Sequence, residues 1–428
     1  MKQPRAVVIG AGVGGLTAAA ALHRSGWAVT VLERAATLEP VGAAISLTPN
    51  AQRALDVIEL GDEIRALAAW RSDGELRAPG GRRLARMDGA AATARYGGPT
   101  VLLHRATLTS LLASRLPGDR VRAGAAAELA DPGAVGRPAR VTVADEEFEA
   151  ELVVAADGIH SAARRALFPG RPGPRYAGFT TWRILAPAPE QPFTPHETWG
   201  RGRFWGTQPL LDGRIYAYAA AFTPEDGRAP DDEKAELLRL FGDWHRPIPD
   251  VLAAVEPGDV LRHDIHHQTE PLPAYHRGRT ALIGDAAHAM APTLGQGGNQ
   301  AIEDAVVLAH HLAAANHADP ADPANPADLP GALAAYTRDR LPRTMDIVRR
   351  SARTSRMSAL SSAPAVALRD AALTAVSRLV PGLLLRGFDG IADWHPPNPR
   401  QGQAAHGRGA ATGDRGQRGA RRRGRVRR

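Results

Sequence analysis

The sequence predicts an α/β chain in which a Rossmann-like nucleotide-binding part carries an inserted domain of α+β type. Three observations lead to that expectation: a strand, glycine turn, helix and strand at the N-terminus, an aromatic and alternating texture between residues 172 and 271, and helical periodicity from residue 299 onward. With 428 residues the chain has room for two packed domains, at ~100–200 residues each. Hydrophobic residues at 44% and charged residues at 23% exclude wholesale disorder and fibrous repeats.

Ala6-Val7-Val8-Ile9 is a short apolar run, followed by Gly10-Ala11-Gly12-Val13-Gly14-Gly15 and a helical pattern from Leu16 to about Arg24. Ala28 to Leu32 is a second apolar strand, closed by Glu33, so the segment reads as a βαβ unit. Leu152 to Ala156 and Thr280 to Ile283 are further buried-strand candidates, each running into Gly/Asp turn chemistry. Phe179 to Ile184 and Arg214 to Tyr218 read as strands of an antiparallel sheet. Asn299 to Ala315 is a helix by spacing, and helices are predicted around 332–359 and 365–380, after a proline-rich linker at 316–331.

The predicted organisation is a discontinuous nucleotide-binding domain over 1–171 and 272–316 and a sheet domain over 172–271. A linker with C-terminal helices follows over 317–399, then a disordered Arg/Gly-rich tail over 400–428.

The chain has no cysteine, which excludes disulfides, thiolate-ligated metal or haem and a dithiol redox couple. Redox chemistry, if present, must therefore be carried by a bound cofactor. The formal charge of +8 suggests a polyanion partner until it is located. Residues 400–428 hold ten arginines and one acid, Asp414, which leaves the preceding 399 residues near neutrality. Such a tail lacks apolar groups to bury, so it is expected to be a solvated appendage. No run approaches the ~18 apolar residues of a membrane span, and the opening MKQPRAVVIG does not resemble a cleaved leader, so a cytoplasmic location is expected.

Gly10, Gly12 and Gly15 form G-x-G-x-x-G. The first permits the tight turn, the second lets backbone approach a pyrophosphate, and the third lets helix pack on strand. Glu33, 23 residues after Gly10, ends the second strand, where a carboxylate can accept from an adenosine ribose hydroxyl. Together these predict one tightly held dinucleotide, and there is no second fingerprint for another. Asp285 follows a buried strand and suits either a ligand hydroxyl or a helix N-cap. Gly295, Gly297 and Gly298 let backbone lie close to a ligand, with the helix from Asn299 aiming its positive end there. The adjacent pairs His266-His267 and His310-His311 point apart, so no metal site is expected, and His288 is given no chemistry.

Asp157-Gly158-Ile159-His160-Ser161 and Gly284-Asp285-Ala286-Ala287-His288-Ala289-Met290-Ala291-Pro292, with the N-terminal fingerprint, resemble the motifs of the single-component FAD-dependent monooxygenases, the para-hydroxybenzoate hydroxylase-like enzymes. Gly42 to Asn50 and Thr293 to Ala305 look most like the branch of salicylate hydroxylase, urate hydroxylase and zeaxanthin epoxidase.

The resemblance implies tight non-covalent FAD, NADH or NADPH as co-substrate, and O2. It implies cofactor contacts from Gly10, Gly12, Val13, Gly14, Gly15, Glu33 and Arg34, and from Ala44, Arg105, Asp157 and Gly158. Further contacts are implied at Asp285, Pro292, Gly295, Gln296, Gly297, Gly298 and Asn299, with Pro292 and Gly295 beside the flavin C4a atom where oxygen adds. Trp182, Arg183, Trp205, Tyr216 and Tyr218 are the expected wall of a small-molecule substrate site. The implied reaction inserts one oxygen atom from a C4a-hydroperoxyflavin into an aromatic or other electron-rich compound. Epoxidation, and dehydrogenase or halogenase chemistry on the same fold, are the alternatives, with polyanion binding through the tail a third of another class. A monomer or homodimer is expected, with no specific nucleic-acid partner.

Overall fold

The first apolar run forms β1 (Arg5–Ile9), the glycine turn leads into α1 (Val13–Arg24), and β2 (Ala28–Leu32) returns parallel to β1, with Arg5 opposite Ala28 and Ile9 opposite Leu32. The computed structural model describes residues 3–38, 44–69, 73–316, 328–380, 382–383 and 385–397. Gly42 and Ala43, most of the expected linker and the Arg-rich tail lie outside the described residues.

The chain continues through β3 (Ala44–Leu47), α2 (Pro49–Asp56), α3 (Gly61–Ala66), β4 (Gly74–Arg77), β5 (Arg83–Met87), α4 (Gly89–Tyr96), β6 (Val101–His104) and α5 (Arg105–Ala113). Then come β7 (Val121–Arg122), β8 (Ala127–Asp131), β9 (Ala139–Val143), β10 (Glu146–Ala150), β11 (Leu152–Ala155) and α6 (Ala162–Leu167). The aromatic region gives β12 (Arg175–Pro187), β13 (His196–Trp199), β14 (Arg203–Pro209), β15 (Arg214–Ala221), α7 (Glu233–Phe241), α8 (Ile248–Ala254) and β16 (Leu261–His267). Last come β17 (His276–Arg277), β18 (Thr280–Leu282), α9 (Asp285–His288), α10 (Gly297–Asn316), α11 (Leu329–Ser358) and α12 (Ala363–Leu379).

The first sheet has the order β17-β18-β11-β1-β2-β7, parallel apart from the edge strand β17. A parallel sheet is covered on both faces. Here α1 and α10 pack on one face, and the small sheet β8–β10 packs on the other through Val141, Ala150 and Phe148. The βαβ connections set the glycine turn, the turn after β11 and the turn after β18 side by side at the carboxyl edge, the usual ligand crevice of such sheets.

The second sheet runs β16-β12-β15-β14-β13-β4-β5. The expected boundary at residue 171 places 74–87 in the nucleotide-binding part, whereas β4 and β5 extend the second sheet, with β4 parallel to β13. That pairing joins residues more than 100 apart in sequence and leaves no local periodicity to read. Among the described residues, no helix is long and apolar enough to cross a membrane.

Candidate active site

A single cavity of about 1360 Å³ runs from the glycine turn to the inner face of the second sheet. At its first end Gly12 caps α1 with extended backbone and no side-chain cap, so the free amides of the first turn face the cavity as an anion-binding terminus. Gly10 takes φ +103°, and a Cβ there would meet Ala156 O at 2.5 Å; at Gly15 it would meet Gly10 O at 2.0 Å. Glycine is thus a packing requirement at both positions. At Gly12 a Cβ would meet nothing within 4 Å, which leaves that side of the turn open to a ligand. Val13 and Gly14 line the same wall, as do Arg34 and Ala44. Glu33 lines it too, and its carboxylate accepts from Ala11 N at 2.7 Å and Ala35 N at 2.9 Å, which ties the end of β2 to the glycine turn.

Asp157 and Gly158 come from the turn after β11, and Asp285 from the turn after β18. Asp157 Oδ2 accepts from Ala163 N at 3.1 Å, while its Oδ1 is buried with no partner. Asp285 is exposed within the cleft. The two turns are locked together by Arg164, buried in α6, which donates to Asp285 O at 3.3 Å, Ala286 O at 3.1 Å and Ile159 O at 2.7 Å. Arg164 is a positioning residue that sequence reading passed over, because an arginine in a short helix looks like surface.

Pro292, Gly295, Gly297 and Gly298 line the cavity between the two ends. Gly295 has φ +62°, and a Cβ on Gly298 would lie 2.7 Å from Ile45 Cδ1, so the loop lies close against β3. Gln296 and Asn299 depart from expectation: their side chains are fully buried behind the loop, not in the cavity. Asn299 Oδ1 accepts from Thr48 N at 2.9 Å, and its Nδ2 donates to Ser46 O at 2.9 Å and Gly295 O at 2.7 Å. Gln296 donates to Thr48 Oγ1 at 3.0 Å. Both pin the glycine loop, and their amides are consumed in doing so.

Beneath them lies a buried charged network. Arg340 of α11 donates to Glu303 at 2.6 Å and Asp304 at 2.7 Å, and Asn50 donates to Glu303 at 2.7 Å. Asp304 also accepts from Gly284 N at 2.9 Å and meets His288 Nε2 at 2.6 Å. Burial would raise the Asp304 carboxyl, but His288 and Arg340 outweigh it and hold it at about 2.

The far end of the cavity is the second sheet. Arg183, Tyr216 and Tyr218 line it, but Trp182 and Trp205 do not. Side chains alternate faces along a strand, so Trp182 cannot share a face with Arg183, nor Trp205 with Phe204, which lines the cavity. Both tryptophans pack outward among Leu237, Phe241 and Ile248 of α7 and α8; Trp182 Nε1 donates to Glu233 at 2.6 Å and Trp205 Nε1 to Thr207 at 2.8 Å. Arg105, at the start of α5, lines the cavity between the ends. The cleft walls desolvate it and lower its guanidinium from the ordinary value, Arg183 adds to this, and Asp285 works against it. Burial raises the Tyr216 phenol. Glu197 on β13, absent from the sequence expectations, also lines this end, where it accepts from Tyr218 OH at 2.7 Å. A four-residue strand gives too little alternation to identify it.

The residues present fit a flavin dinucleotide: an uncapped helix terminus beside an open Gly12, an unpartnered buried Asp157 oxygen, and a glycine loop with room for a ring against it.

Comparisons with known proteins agree with this geometry. The FAD binding domain family matches residues 4–351. The chain is 36% identical over 367 residues to the aurachin C monooxygenase/isomerase of Stigmatella aurantiaca, covering 85% of this chain and 92% of that protein. It is 36% identical over 379 residues to the 3-amino-4-hydroxybenzoate 2-monooxygenase of Streptomyces cremeus, covering 86% and 90% respectively. Klebsiella pneumoniae HpxO, solved in complex with FAD and uric acid, superposes with a TM-score of 0.77 at 28% identity, over 89% of this chain and 95% of that one. The chain therefore belongs to the flavoprotein hydroxylase family, the FAD-dependent monooxygenases.

Proposed function

We propose that the protein hydroxylates an aromatic small molecule bearing O–H or N–H groups, with NADH or NADPH as electron donor and O2 as oxygen source. The observation that carries this reading is the continuity of one cavity from a dinucleotide-type glycine turn to a sheet face bearing Arg183, Tyr216, Tyr218 and Glu197. It is supported by relatives named for 3-amino-4-hydroxybenzoate and urate, both ring compounds with such groups.

Bound FAD would supply hydride acceptance and oxygen activation, one oxygen atom going to the substrate and the other to water. In this reading the first-turn amides of α1 hold the diphosphate, Glu33 the adenosine ribose, and Asp285 the ribityl hydroxyls. Gly295, Gly297 and Gly298 would seat the ring, and the N-terminus of α10 would favour negative charge developing on it. Arg105, which lines the same cavity, would donate to the cofactor. Pro292 and the apolar side chains around it exclude water from the reacting edge, so that oxygen equivalents are not lost as hydrogen peroxide.

The test is a purified, FAD-reconstituted protein titrated anaerobically with NADH and NADPH against phenols, aminophenols and N-heteroaromatics, then exposed to oxygen. Faster flavin bleaching with one aromatic, and a product one oxygen atom heavier, is the expected result. NAD(P)H consumption that yields only hydrogen peroxide with every aromatic would overturn it.

A further inference from the structure

The register of the second sheet sets Arg183 on β12, Tyr218 on β15, Gly206 on β14, Glu197 on β13 and Leu76 on β4 in one row. Residues directly opposite one another share a face, and Arg183, Tyr218, Glu197 and Leu76 all line the cavity. Gly206 makes the row possible. A Cβ there would stand 2.1 Å from Tyr218 Cζ and 2.5 Å from its hydroxyl, so only a missing side chain lets the phenol lie across β14 and donate to Glu197 Oε2 at 2.7 Å. Trp199 Nε1 donates to the other oxygen, Oε1.

Both of these donors are neutral, and Glu197 forms no salt bridge among the described residues. Glu197 is half-buried in the cavity wall with no cation beside it, and the partial loss of water pushes its carboxyl above its usual range. Each oxygen accepts one bond and retains a further lone pair. Around the pair, Trp199, Phe204, Leu76 and Leu373 make this part of the cavity wall apolar. The fold thus maintains a carboxylate acceptor, held by two side chains, within an apolar stretch of the cavity wall.

We propose that Glu197 is the specificity-determining acceptor of this site: it takes a hydrogen bond from a ring-borne O–H or N–H of the aromatic substrate, with Arg183 three strands away in the same row. This rests on the proposed hydroxylase reading. The bond selects aromatics that carry a donor over their methylated counterparts, and polarising that donor raises electron density on the ring that is to accept oxygen.

The experiment measures binding to the oxidised holoenzyme by flavin absorbance perturbation, without turnover. The probe pairs are 3-amino-4-hydroxybenzoate against 3-amino-4-methoxybenzoate, and 4-quinolone against N-methyl-4-quinolone. The wild type is expected to favour the donor-bearing member of at least one pair by about tenfold or more, the scale of a hydrogen bond to a charged group. Glu197→Gln should reduce that preference to about threefold or less at unchanged FAD content. Glu197→Asp, which keeps the charge but withdraws it by one methylene, should give an intermediate value. No preference for a donor in any pair with the wild type, or an undiminished preference in either variant, overturns the proposal. Oxygenation without donor preference would defeat this inference alone; donor preference without oxygenation would defeat the hydroxylase reading and leave Glu197 as a binding determinant.

Discussion

Asp285 and Arg340 show two uses of charge in one neighbourhood. Asp285 faces the cavity and is free to bond a ligand, so Asp285→Ala removes a charge-assisted acceptor without disturbing packing. FAD affinity should fall by about 10–100-fold, the equivalent of a hydrogen bond to a charged group. The flavin-to-protein ratio after desalting checks this, and full occupancy in the variant would remove the ribityl role. Arg340 is 1% exposed and bridges Glu303 and Asp304, both fully buried, while Arg343 also donates to Glu303 at 2.7 Å. Arg340→Leu leaves Asp304 without its arginine and Glu303 with Arg343 alone, and should destabilise the fold by ~3–5 kcal/mol, seen in urea unfolding followed by tryptophan fluorescence. Asp285 is readable from sequence because it stands after a glycine at the end of an apolar strand. Arg340 is not, because its partners are nearly forty residues away and its spacing on α11 matches that of ordinary surface arginines.

At the scale of elements, the legible parts are those whose chemistry is local. The glycine turn, the turns after β11 and β18, and the helices α10, α11 and α12 are each announced by a residue pattern within their own span. The second sheet is legible in kind but not in face or extent. Phe179 to Ile184 reads as a strand, yet only pairing decides which parity meets the cavity, and so Arg183 lines it while Trp182 stiffens the outer core. The strands β4 and β5 escape because their partner β13 is remote in sequence. The glycine turn permits a sharp prediction. In Gly15→Ala the new methyl would press on Gly10 O at 2.0 Å, so α1 must move away from β1. Overpacking of this kind costs typically about 1–3 kcal/mol, and because the same movement withdraws the first-turn amides, FAD retention should fall together with the thermal midpoint. A variant that loses stability but keeps full flavin would show that the turn does not carry the diphosphate.

For the molecule as a whole, one cavity is assembled from both sheets together with α11 and α12, from which Arg350, Arg353, Met357 and Leu373 line it. Thr293, beside Pro292, donates to Ser351 O at 2.8 Å, so α11 is tied to the glycine loop proposed to seat the ring. All of the lining falls between Ile9 and Phe388. The charge is distributed otherwise, since residues 400–428 carry ten arginines and one acid while the rest of the chain is near neutral. Long-range attraction to polyanions and the chemistry of the cavity are thus assigned to different parts of the sequence, and a polyanion interaction would weaken steeply with salt. Removing residues 398–428 should abolish retention on a cation exchanger at low salt and leave FAD content unchanged, with substrate-dependent NAD(P)H oxidation within about twofold of the full chain. A loss of turnover beyond tenfold at full flavin occupancy would show instead that the basic segment takes part in the reaction cycle, and the cavity walls between Ile9 and Phe388 would then be an incomplete account of the site.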